Sequence, residues 1–331
     1  MYPLLLRPIL LEKVWGGDRL ARFGKQVRPG SKIGESWELA DLAATSAGGA
    51  GGGAFASTVR NGPFSGRTLR QIMTQQGAAF MGSATAGQDG GYPLLLKYLD
   101  ASQNLSIQVH PSPAYAKSHP GALVKSECWY ILDAQPDAVI YNGLKSGTTK
   151  ADFERAIKAG TVADCMNAVK VTPGECYNLP SGTCHALGAG VVCLEVQTAS
   201  DTTYRVFDWG RTGRELHIQQ ALECIDFSTA PSAPVRASAA AADAPFLSTP
   251  DFELTYARIG AEGLPLSGYC GPFAIVGGRG TLESWMKGYR PERVGAGTTG
   301  YIPPQVPITS KLVGEPSAPL ECILVKALGK V

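Results

Sequence analysis

Histidine is scarce in this chain, and two of its four histidines lie in segments whose glycine and proline spacing predicts sharp turns between strands. The segment 174–185 reads G-x5-P-x-G-x2-H, so that a strand follows tight turns and carries His185 to one side. The strand-like run 105–110 places Gln108 and His110 on one face, because side chains alternate along a strand. Imidazole and amide groups that converge in this way could bind a divalent metal ion.

The segment 174–185 resembles the second sequence signature of the cupin superfamily at every fixed position. The other cupin signature normally supplies two histidines and a carboxylate, and here Gln108 stands where its first histidine is expected. The resemblance implies four metal ligands, which are Gln108, His110, Glu127 and His185. A nitrogen and oxygen set of this kind suits Zn²⁺ or another borderline divalent ion, with positions open for water or substrate. Taken singly, a histidine on a strand or a carboxylate at a strand end is more often an ordinary structural residue, and it is the combination of the four that favours a metal site.

Composition predicts a mainly β fold. The 331 residues include 40 glycines and 23 prolines, which exceeds the usual ~7% and ~5% and is typical of many short strands joined by turns. Helices are few: one is predicted over 68–80, and apolar spacing predicts two short helices within 150–170. The fold expected from the cupin signature is a jelly-roll barrel with these short helices, followed by a second, smaller cupin-like β-barrel.

The chain divides at an Ala/Pro/Ser-rich stretch. We predict a catalytic domain over 1–228, a linker over 229–245 and a small β domain over 246–331 that binds no metal, since it contains no histidine. The Gly/Ala-rich segment 45–57 is interpreted as a flexible loop.

Charge argues against large anionic partners. A net charge of +2 with 18% charged residues gives no electrostatic reason to expect nucleic acid or an anionic membrane as partner. No apolar run approaches the ~20 residues that span a bilayer. The eight cysteines contain no CxxC pair, and the N-terminus shows no basic leader or cleavage site. A cytoplasmic protein with reduced thiols, acting on a small molecule, is therefore expected.

Four segments resemble the type I mannose-6-phosphate isomerase family. They are PLLLKYLDASQNLSIQVHP, KSECWYILDA, GTCHALGAGVVCLEVQTASDTTYRVFDWGR and IGESWELAD. The resemblance covers almost all of 1–225 and continues more weakly to the C-terminus, and the chain length is similar to the short, bacterial-style form. It implies a zinc-dependent isomerase that interconverts mannose 6-phosphate and fructose 6-phosphate by moving a proton between C1 and C2 through an enediol.

The same resemblance implies roles for further residues. Arg205 matches the family's essential arginine, which could hold the enediolate. Glu195 matches a carboxylate near the sugar and is the first choice for the base, although it could instead only orient a neighbour. Lys97 and Lys125 match family lysines, and a lysine on an apolar strand such as the one containing Lys97 is costly to bury without a partner. Snorkelling to the surface is the alternative for Lys97.

Phosphate binding is assigned by resemblance to Ser106 and Arg211, because an arginine suits a phosphate through paired hydrogen bonds. Arg211 could equally be a solvated loop charge. Two other functions stay open: a different sugar-phosphate isomerase of the cupin superfamily, or a cupin that binds metal or sugar without catalysis. The identity of the base, the metal loaded in the cell and the range of aldoses also stay open. The expected assembly is a monomer or a weak homo-oligomer.

Overall fold

Antiparallel strands dominate the computed structural model, which describes residues 1–45, 53–87, 89–228, 230–231, 233–237 and 244–329. Up to residue 237 the strands are β1 Leu4–Leu5, β2 Ile9–Gly17, β3 Ile33–Leu39, β4 Asp41–Leu42, β5 Phe55–Ala56, β6 Leu94–Asp100, β7 Ile107–Val109, β8 Glu127–Ala134, β9 Val139–Leu144, β10 Met166–Lys170, β11 Glu175–Leu179, β12 His185–Leu187, β13 Val191–Thr198, β14 Tyr204–Phe207 and β15 Val235–Arg236. From residue 244 they are β16 Leu247–Ser248, β17 Phe252–Ile259, β18 Leu264–Pro265, β19 Gly271–Gly277, β20 Arg279–Glu283, β21 Glu292–Gly295, β22 Thr299–Ile302, β23 Lys311–Gly314 and β24 Leu320–Ala327. The α-helices are α1 Leu69–Gln76, α2 Ala78–Met81, α3 Pro113–Ser118, α4 Lys150–Ala159 and α5 Ile218–Cys224, and the 3-10 turns are Arg19–Phe23, Gly62–Phe64 and Val162–Cys165.

Two sheets form the half of the molecule that carries the candidate ligands. Their strand orders are β15-β11-β8-β13-β6-β3-β2 and β10-β9-β12-β7-β14, and all their neighbouring strands run antiparallel. They pack face to face, since Trp129 and Ile131 of one sheet share a buried cluster with Ile140 and Leu187 of the other. Two such sheets are consistent with a jelly roll, and the prediction of a mainly β fold is confirmed.

The second half contains two further sheets, with the orders β1-β22-β19-β24-β17-β16 and β18-β23-β20-β21. Its first sheet includes β1, because Leu4 pairs with Tyr301 and Leu5 with Gly300. Within the predicted linker, β15 pairs with β11 of the first half. The domain boundaries stay a prediction. Residues 46–52 of the predicted loop and residues 229, 232 and 238–243 of the predicted linker lie outside the described residues.

Local sequence explains where the helices begin and end. Before α1, the Thr68 hydroxyl accepts the Gln71 backbone N–H and the Gln71 side chain accepts the Thr68 N–H, which forms a capping box. The predicted helix over 68–80 is interrupted at Gly77, whose φ is +52°, and α2 follows.

The prediction of two short helices within 150–170 is half wrong. α4 ends at Gly160, which adopts the left-handed conformation with φ of +73°. After the 3-10 turn, residues 166–170 form β10 and pair with β9, and their burial alternates with the period of a strand. Helix α5 lies outside the predicted helices, and its Ala221, Leu222 and Cys224 side chains are buried.

The buried side chain of Lys25 connects the two halves. Lys25 Nζ lies 2.6 Å from Glu38 Oε1, and each side chain is 2% exposed. The same ammonium donates a 2.6 Å hydrogen bond to the Gly297 carbonyl oxygen and lies 4.6 Å from the centre of the Tyr98 ring. The Tyr98 hydroxyl in turn donates to the Ile275 carbonyl oxygen at 3.1 Å. These contacts hold β3 and β6 against the second half.

We expect Lys25→Ala to destabilise the fold, because the Glu38 carboxylate would stay buried without its counter-charge. The free energy of unfolding should fall by about 3–5 kcal/mol, measured by urea denaturation. The control is Lys170→Ala, which removes an exposed pair with Asp137 and should barely move the curve. A Lys25 variant as stable as this control would contradict the assigned role.

Candidate metal centre and substrate cavity

Three potential metal ligands meet between the facing sheets of the first half. His110 directly follows β7, Glu127 begins β8 and His185 begins β12. His110 Nε2 lies 3.2 Å from Glu127 Oε2, and His185 Nε2 lies 3.3 Å from Glu127 Oε1. One ligand atom from each residue lies within 4.8 Å of the others, and all three residues are buried. The structure therefore brings together three of the four predicted ligands.

The backbone holds the second nitrogen of each imidazole. His110 Nδ1 lies 2.9 Å from the Thr202 carbonyl oxygen, and His185 Nδ1 lies 2.9 Å from the Thr183 carbonyl oxygen. A carbonyl oxygen only accepts hydrogen bonds, so Nδ1 carries the proton and Nε2 keeps its lone pair. Within the described part of the chain, His110 Nε2 and Glu127 Oε1 are buried without a hydrogen bond. Such lone pairs fit a bound cation, so these residues suit a metal ion.

The charge of Glu127 is compensated from one side by Lys125, whose Nζ lies 2.8 Å from Glu127 Oε2. Burial is the largest single influence and would raise the pKa of Glu127. Lys125 and the two neighbouring histidines together outweigh burial and hold that pKa well below its ordinary range. Burial, reinforced by the same ammonium, lowers the pKa of His110 to about 3. The centre thus combines an ionised carboxylate with neutral imidazoles, the protonation states that metal ligation requires.

Gln108 is the fourth predicted ligand and lies beside the three. Its Nε2 is 3.4 Å from His185 Nε2, and its Oε1 accepts a 3.2 Å hydrogen bond from the Ser106 hydroxyl. Turning the amide over would exchange the positions of Oε1 and Nε2. The Ser106 hydroxyl could then accept a hydrogen bond from Nε2, because a hydroxyl both donates and accepts. Gln108 can therefore turn its oxygen toward the cluster while Ser106 stays bonded to it.

A cavity of about 370 Å³ opens beside this centre. Six of the predicted site residues line it, and these are Lys97, Ser106, Gln108, Lys125, Glu195 and Arg205. The triad His110, Glu127 and His185 lies behind Gln108 and Lys125 and does not line the cavity itself. Arg211 does not line it either.

Register explains how Lys97 and Glu195 come together. Glu195 on β13 pairs with Lys97 on β6 and with Trp129 on β8, so all three side chains share one face. Lys97 Nζ lies 3.2 Å from Glu195 Oε1, and the Trp129 indole N–H donates to Glu195 Oε2 at 3.0 Å. Burial is the largest single influence and would lower the pKa of Lys97, but the charges of Glu195, Glu35 and Glu127 together outweigh it and raise that pKa. Lys97 is thus a buried ammonium, and it does not snorkel.

Arg205 faces the centre from the opposite sheet. On β14 it pairs with Gln108, which also pairs with His185 on β12, so the three residues form one row across the sheet. Arg205 is 7% exposed and lines the cavity. Burial lowers its pKa, and the nearby charge of Arg214 lowers it further. The backbone of Arg205 therefore lies beside that of Gln108, and its side chain lines the same cavity.

Arg211 and Arg214 both bind the buried carboxylate of Asp208. Arg211 Nη2 donates to Asp208 Oδ1 at 2.6 Å and to the Asn104 carbonyl oxygen at 2.8 Å. Arg214 Nε donates to Asp208 Oδ2 at 2.8 Å, and its Nη2 donates to Oδ1. Of the two arginines, Arg214 lines the cavity. The assignment of Arg211 to the phosphate stays a prediction.

Sequence reasoning missed several cavity residues, including Glu35, Asp201 and Arg214. Glu35 and Asp201 lie within segments that carry the family resemblance, so a residue-by-residue reading of those segments could have found them. No local signal marks Arg214, because a turn separates it from β14 and its contact with Asp208 forms only in the folded chain.

We expect zinc affinity to depend on the buried triad. His185→Ala should weaken binding by at least about 100-fold, measured by competition with a chromophoric chelator, because it deletes a direct ligand. The control is His119→Ala, whose ring stacks on Tyr115 at the surface. Equal affinities in the two variants would show that the metal binds elsewhere.

No helix in the described ranges is long and apolar enough to span a membrane.

The family model for the catalytic domain of type I phosphomannose isomerase matches residues 4–137. Mannose-6-phosphate isomerase ManA of Bacillus subtilis is 40% identical over 237 residues, which cover 69% of this chain and 70% of that protein. Mannose-6-phosphate isomerase of Streptococcus mutans is 37% identical over 229 residues, or 67% of each chain.

Solved structures agree over nearly the whole length. The crystal structure of mannose 6-phosphate isomerase from Bacillus subtilis superimposes with a TM-score of 0.81 at 26% identity, covering 98% of this chain and 100% of that one. The apo form of the enzyme from Salmonella typhimurium gives 0.71 at 16% identity, covering 99% and 100%, and supports the fold alone. With the buried triad, the facing sheets and these relatives together, the chain belongs to the type I phosphomannose isomerase family.

Proposed function

We propose that this protein is a metal-dependent aldose–ketose isomerase that interconverts mannose 6-phosphate and fructose 6-phosphate. The observation that carries the proposal is the buried His110, Glu127 and His185 triad, which lies behind a cavity lined by several cationic and several carboxylate side chains. An aldose–ketose isomerase needs this combination, because it must move a proton while it stabilises negative charge on oxygen. The relatives named as mannose-6-phosphate isomerases support the same substrate.

The metal we propose is Zn²⁺, one per chain, held by the triad and by the Gln108 oxygen. Two imidazoles, a carboxylate and an amide oxygen suit a borderline divalent ion, and the described residues of the centre include no thiolate. The chemistry that such an ion supplies when bound is Lewis-acid stabilisation of negative charge on the sugar oxygens.

Glu195 is the group we propose for proton transfer. Its carboxylate is 4% exposed, lines the cavity and is oriented by Lys97 and the Trp129 indole. In the direction of ketose formation, Glu195 would take the proton from C2 and return it to C1, while the hydroxyl proton of O2 would pass to O1 so that the ketone forms at C2. The Lys97 ammonium stays protonated because Glu195 and Glu35 raise its pKa, so its role would be to position Glu195.

Arg205 would stabilise the enediolate formed between the two proton transfers. A guanidinium carries its charge throughout and can donate to two oxygens at once. Its place beside Gln108 puts it at the same end of the cavity as the metal centre. Lys125, which lines the cavity and contacts Glu127, would add positive charge there. Ser106 and Arg211 stay candidates for the phosphate, and the cytoplasm stays the proposed location.

The direct test is a coupled assay of fructose 6-phosphate formation from mannose 6-phosphate. We expect activity to disappear with a strong chelator and to return with zinc. In deuterium oxide, deuterium should enter the product carbon, since the carboxylate that carries the proton can exchange with solvent. Zinc-loaded protein without any isomerisation would contradict the proposed function.

Two variants separate the proposed roles. Glu195→Gln keeps the shape but cannot accept a proton, so kcat should fall by at least about 100-fold, with the KM little changed. Arg205→Lys keeps the charge but loses the planar guanidinium with its paired N–H donors, and kcat should fall by about 10²–10³-fold. Zinc content, measured alongside, should stay at one per chain in both. A Glu195 variant with wild-type kcat would exclude it as the base.

A further inference from the structure

The chain segment between β13 and β14 carries the carbonyl group that orients one of the predicted metal ligands. His110 Nδ1 lies 2.9 Å from the Thr202 carbonyl oxygen, and this contact keeps the proton on Nδ1. Residues 199–203 lie outside every helix and strand. The position of the Thr202 carbonyl group therefore depends on what fixes this irregular segment.

Cavities lie on both sides of the segment. Asp201 lines the substrate cavity and also a second cavity of about 400 Å³, whose lining includes Thr198 and Ser200. Open space offers no atoms to pack against, so van der Waals contacts hold such a segment less firmly than they hold the strands beside it. Hydrogen bonds must then supply much of the constraint.

The side-chain amide of Gln197 provides two of these hydrogen bonds. Gln197 lies on β13 and is 0% exposed, and because it pairs with Glu127 on β8 the two side chains share one face. Its Nε2 donates to the Thr198 carbonyl oxygen at 2.9 Å and to the Ser200 carbonyl oxygen at 2.5 Å. Since carbonyl oxygens only accept, the amide nitrogen must face the segment.

Ser200 links Gln197 to the histidine. The Ser200 hydroxyl accepts the Thr202 backbone N–H at 3.2 Å and donates to the Leu123 carbonyl oxygen at 3.5 Å. A continuous chain of contacts thus runs from the Gln197 amide through Ser200 and Thr202 to His110 Nδ1.

The oxygen end of the Gln197 amide argues against a purely structural role. In the part of the chain that the structure describes, Gln197 Oε1 is buried without a hydrogen bond. An unpaired buried acceptor costs stability, and a methionine of similar length would avoid that cost. The benefit of the amide must therefore come from its N–H donors.

We propose that Gln197 is a positioning residue of the metal centre. Its amide N–H groups hold residues 199–203 so that the Thr202 carbonyl oxygen accepts the Nδ1 proton of His110, which leaves Nε2 with its lone pair toward the metal. The inference rests on the proposed function, because it assigns a role in the metal site which that function requires.

Zinc affinity of the full chain tests the proposal. Gln197→Met keeps the length of the side chain but cannot donate, and the Kd for zinc should rise by about 10-fold or more, measured by competition with a chromophoric chelator. The matched control is Asn167→Leu, because Asn167 Nδ2 also donates to a backbone carbonyl oxygen, that of Leu144 at 2.8 Å. The control should unfold at lower urea concentration yet keep the zinc affinity of the wild type.

Ser200→Ala tests the chain of contacts itself, including the case in which Gln197→Met does not fold. It removes the acceptor of the Thr202 N–H, so the Kd for zinc should rise here as well. If both residues act through Thr202, the double variant should bind zinc about as weakly as the weaker single variant. Effects that simply multiply would show that the two residues act independently, which would contradict the proposed chain.

The metal-free protein gives a readout that a merely structural role would not move. With histidine labelled by nitrogen-15, the Nδ1 proton of His110 can be followed by NMR and identified by its loss in His110→Ala. In Gln197→Met this proton should exchange with solvent several-fold faster than in the wild type, because its acceptor is no longer held in place. In Asn167→Leu its exchange should not change.

The outcomes separate this inference from the proposed function. Zinc affinity in Gln197→Met equal to that of the control, or unchanged exchange of the His110 proton, would overturn the inference alone. A wild-type protein that depends on Gln197 in both measurements but does not isomerise mannose 6-phosphate when loaded with zinc would overturn the proposed function and leave the role of Gln197 standing.

Discussion

The ionised Glu127 carboxylate, buried between two sheets, is the constraint on which the site depends. An unpaired carboxylate in this position would be strongly destabilising, and Lys125 compensates it from one side only. On the other side it faces two imidazoles whose Nε2 atoms keep their lone pairs, because backbone carbonyls bind the Nδ1 protons. In the part of the chain that the structure describes, the His110 Nε2 lone pair and Glu127 Oε1 are left buried without a hydrogen bond, which fits a bound cation.

The two facing sheets explain why the remaining site residues surround this centre. One sheet contributes a row that runs from Trp37 through Lys97 and Glu195 to Trp129, set by the pairing of four neighbouring strands. The other contributes Arg205, Gln108 and His185 as a second row. Because a shift by one residue would turn either row away from the cavity, strand register fixes the chemistry. The buried contacts of Lys25 hold the first of these sheets against the second half of the molecule.

Much of the centre could be predicted from the sequence, because turn chemistry is local. The glycines and proline of 174–185 determine where His185 emerges, and alternation places Gln108 and His110 on one face. Resemblance to the family supplied Glu195, Lys97 and Arg205, which spacing alone could not assign. The mainly β fold followed from composition and from the same resemblance.

Other features depend on contacts between distant residues. Periodicity did not separate β10 from a helix, since its strand form comes from pairing with β9 after Gly160 ends α4. Hydrogen bonds to Asp208 fix the side-chain positions of Arg211 and Arg214. Arg211 also bonds to the Asn104 carbonyl oxygen, which is distant in the sequence. The joining of β1 to the second-half sheet is equally non-local.

The central claim is that one metal ion lies among His110, Glu127 and His185 at the inner end of a sugar-phosphate cavity. Its most direct test is a crystal structure of zinc-loaded protein with mannitol 6-phosphate, with diffraction recorded above and below the zinc absorption edge. We predict one anomalous peak bounded by the two Nε2 atoms and the Glu127 carboxylate, with the analogue extending from it across the cavity. A zinc peak elsewhere, or an analogue bound outside this cavity, would contradict the account.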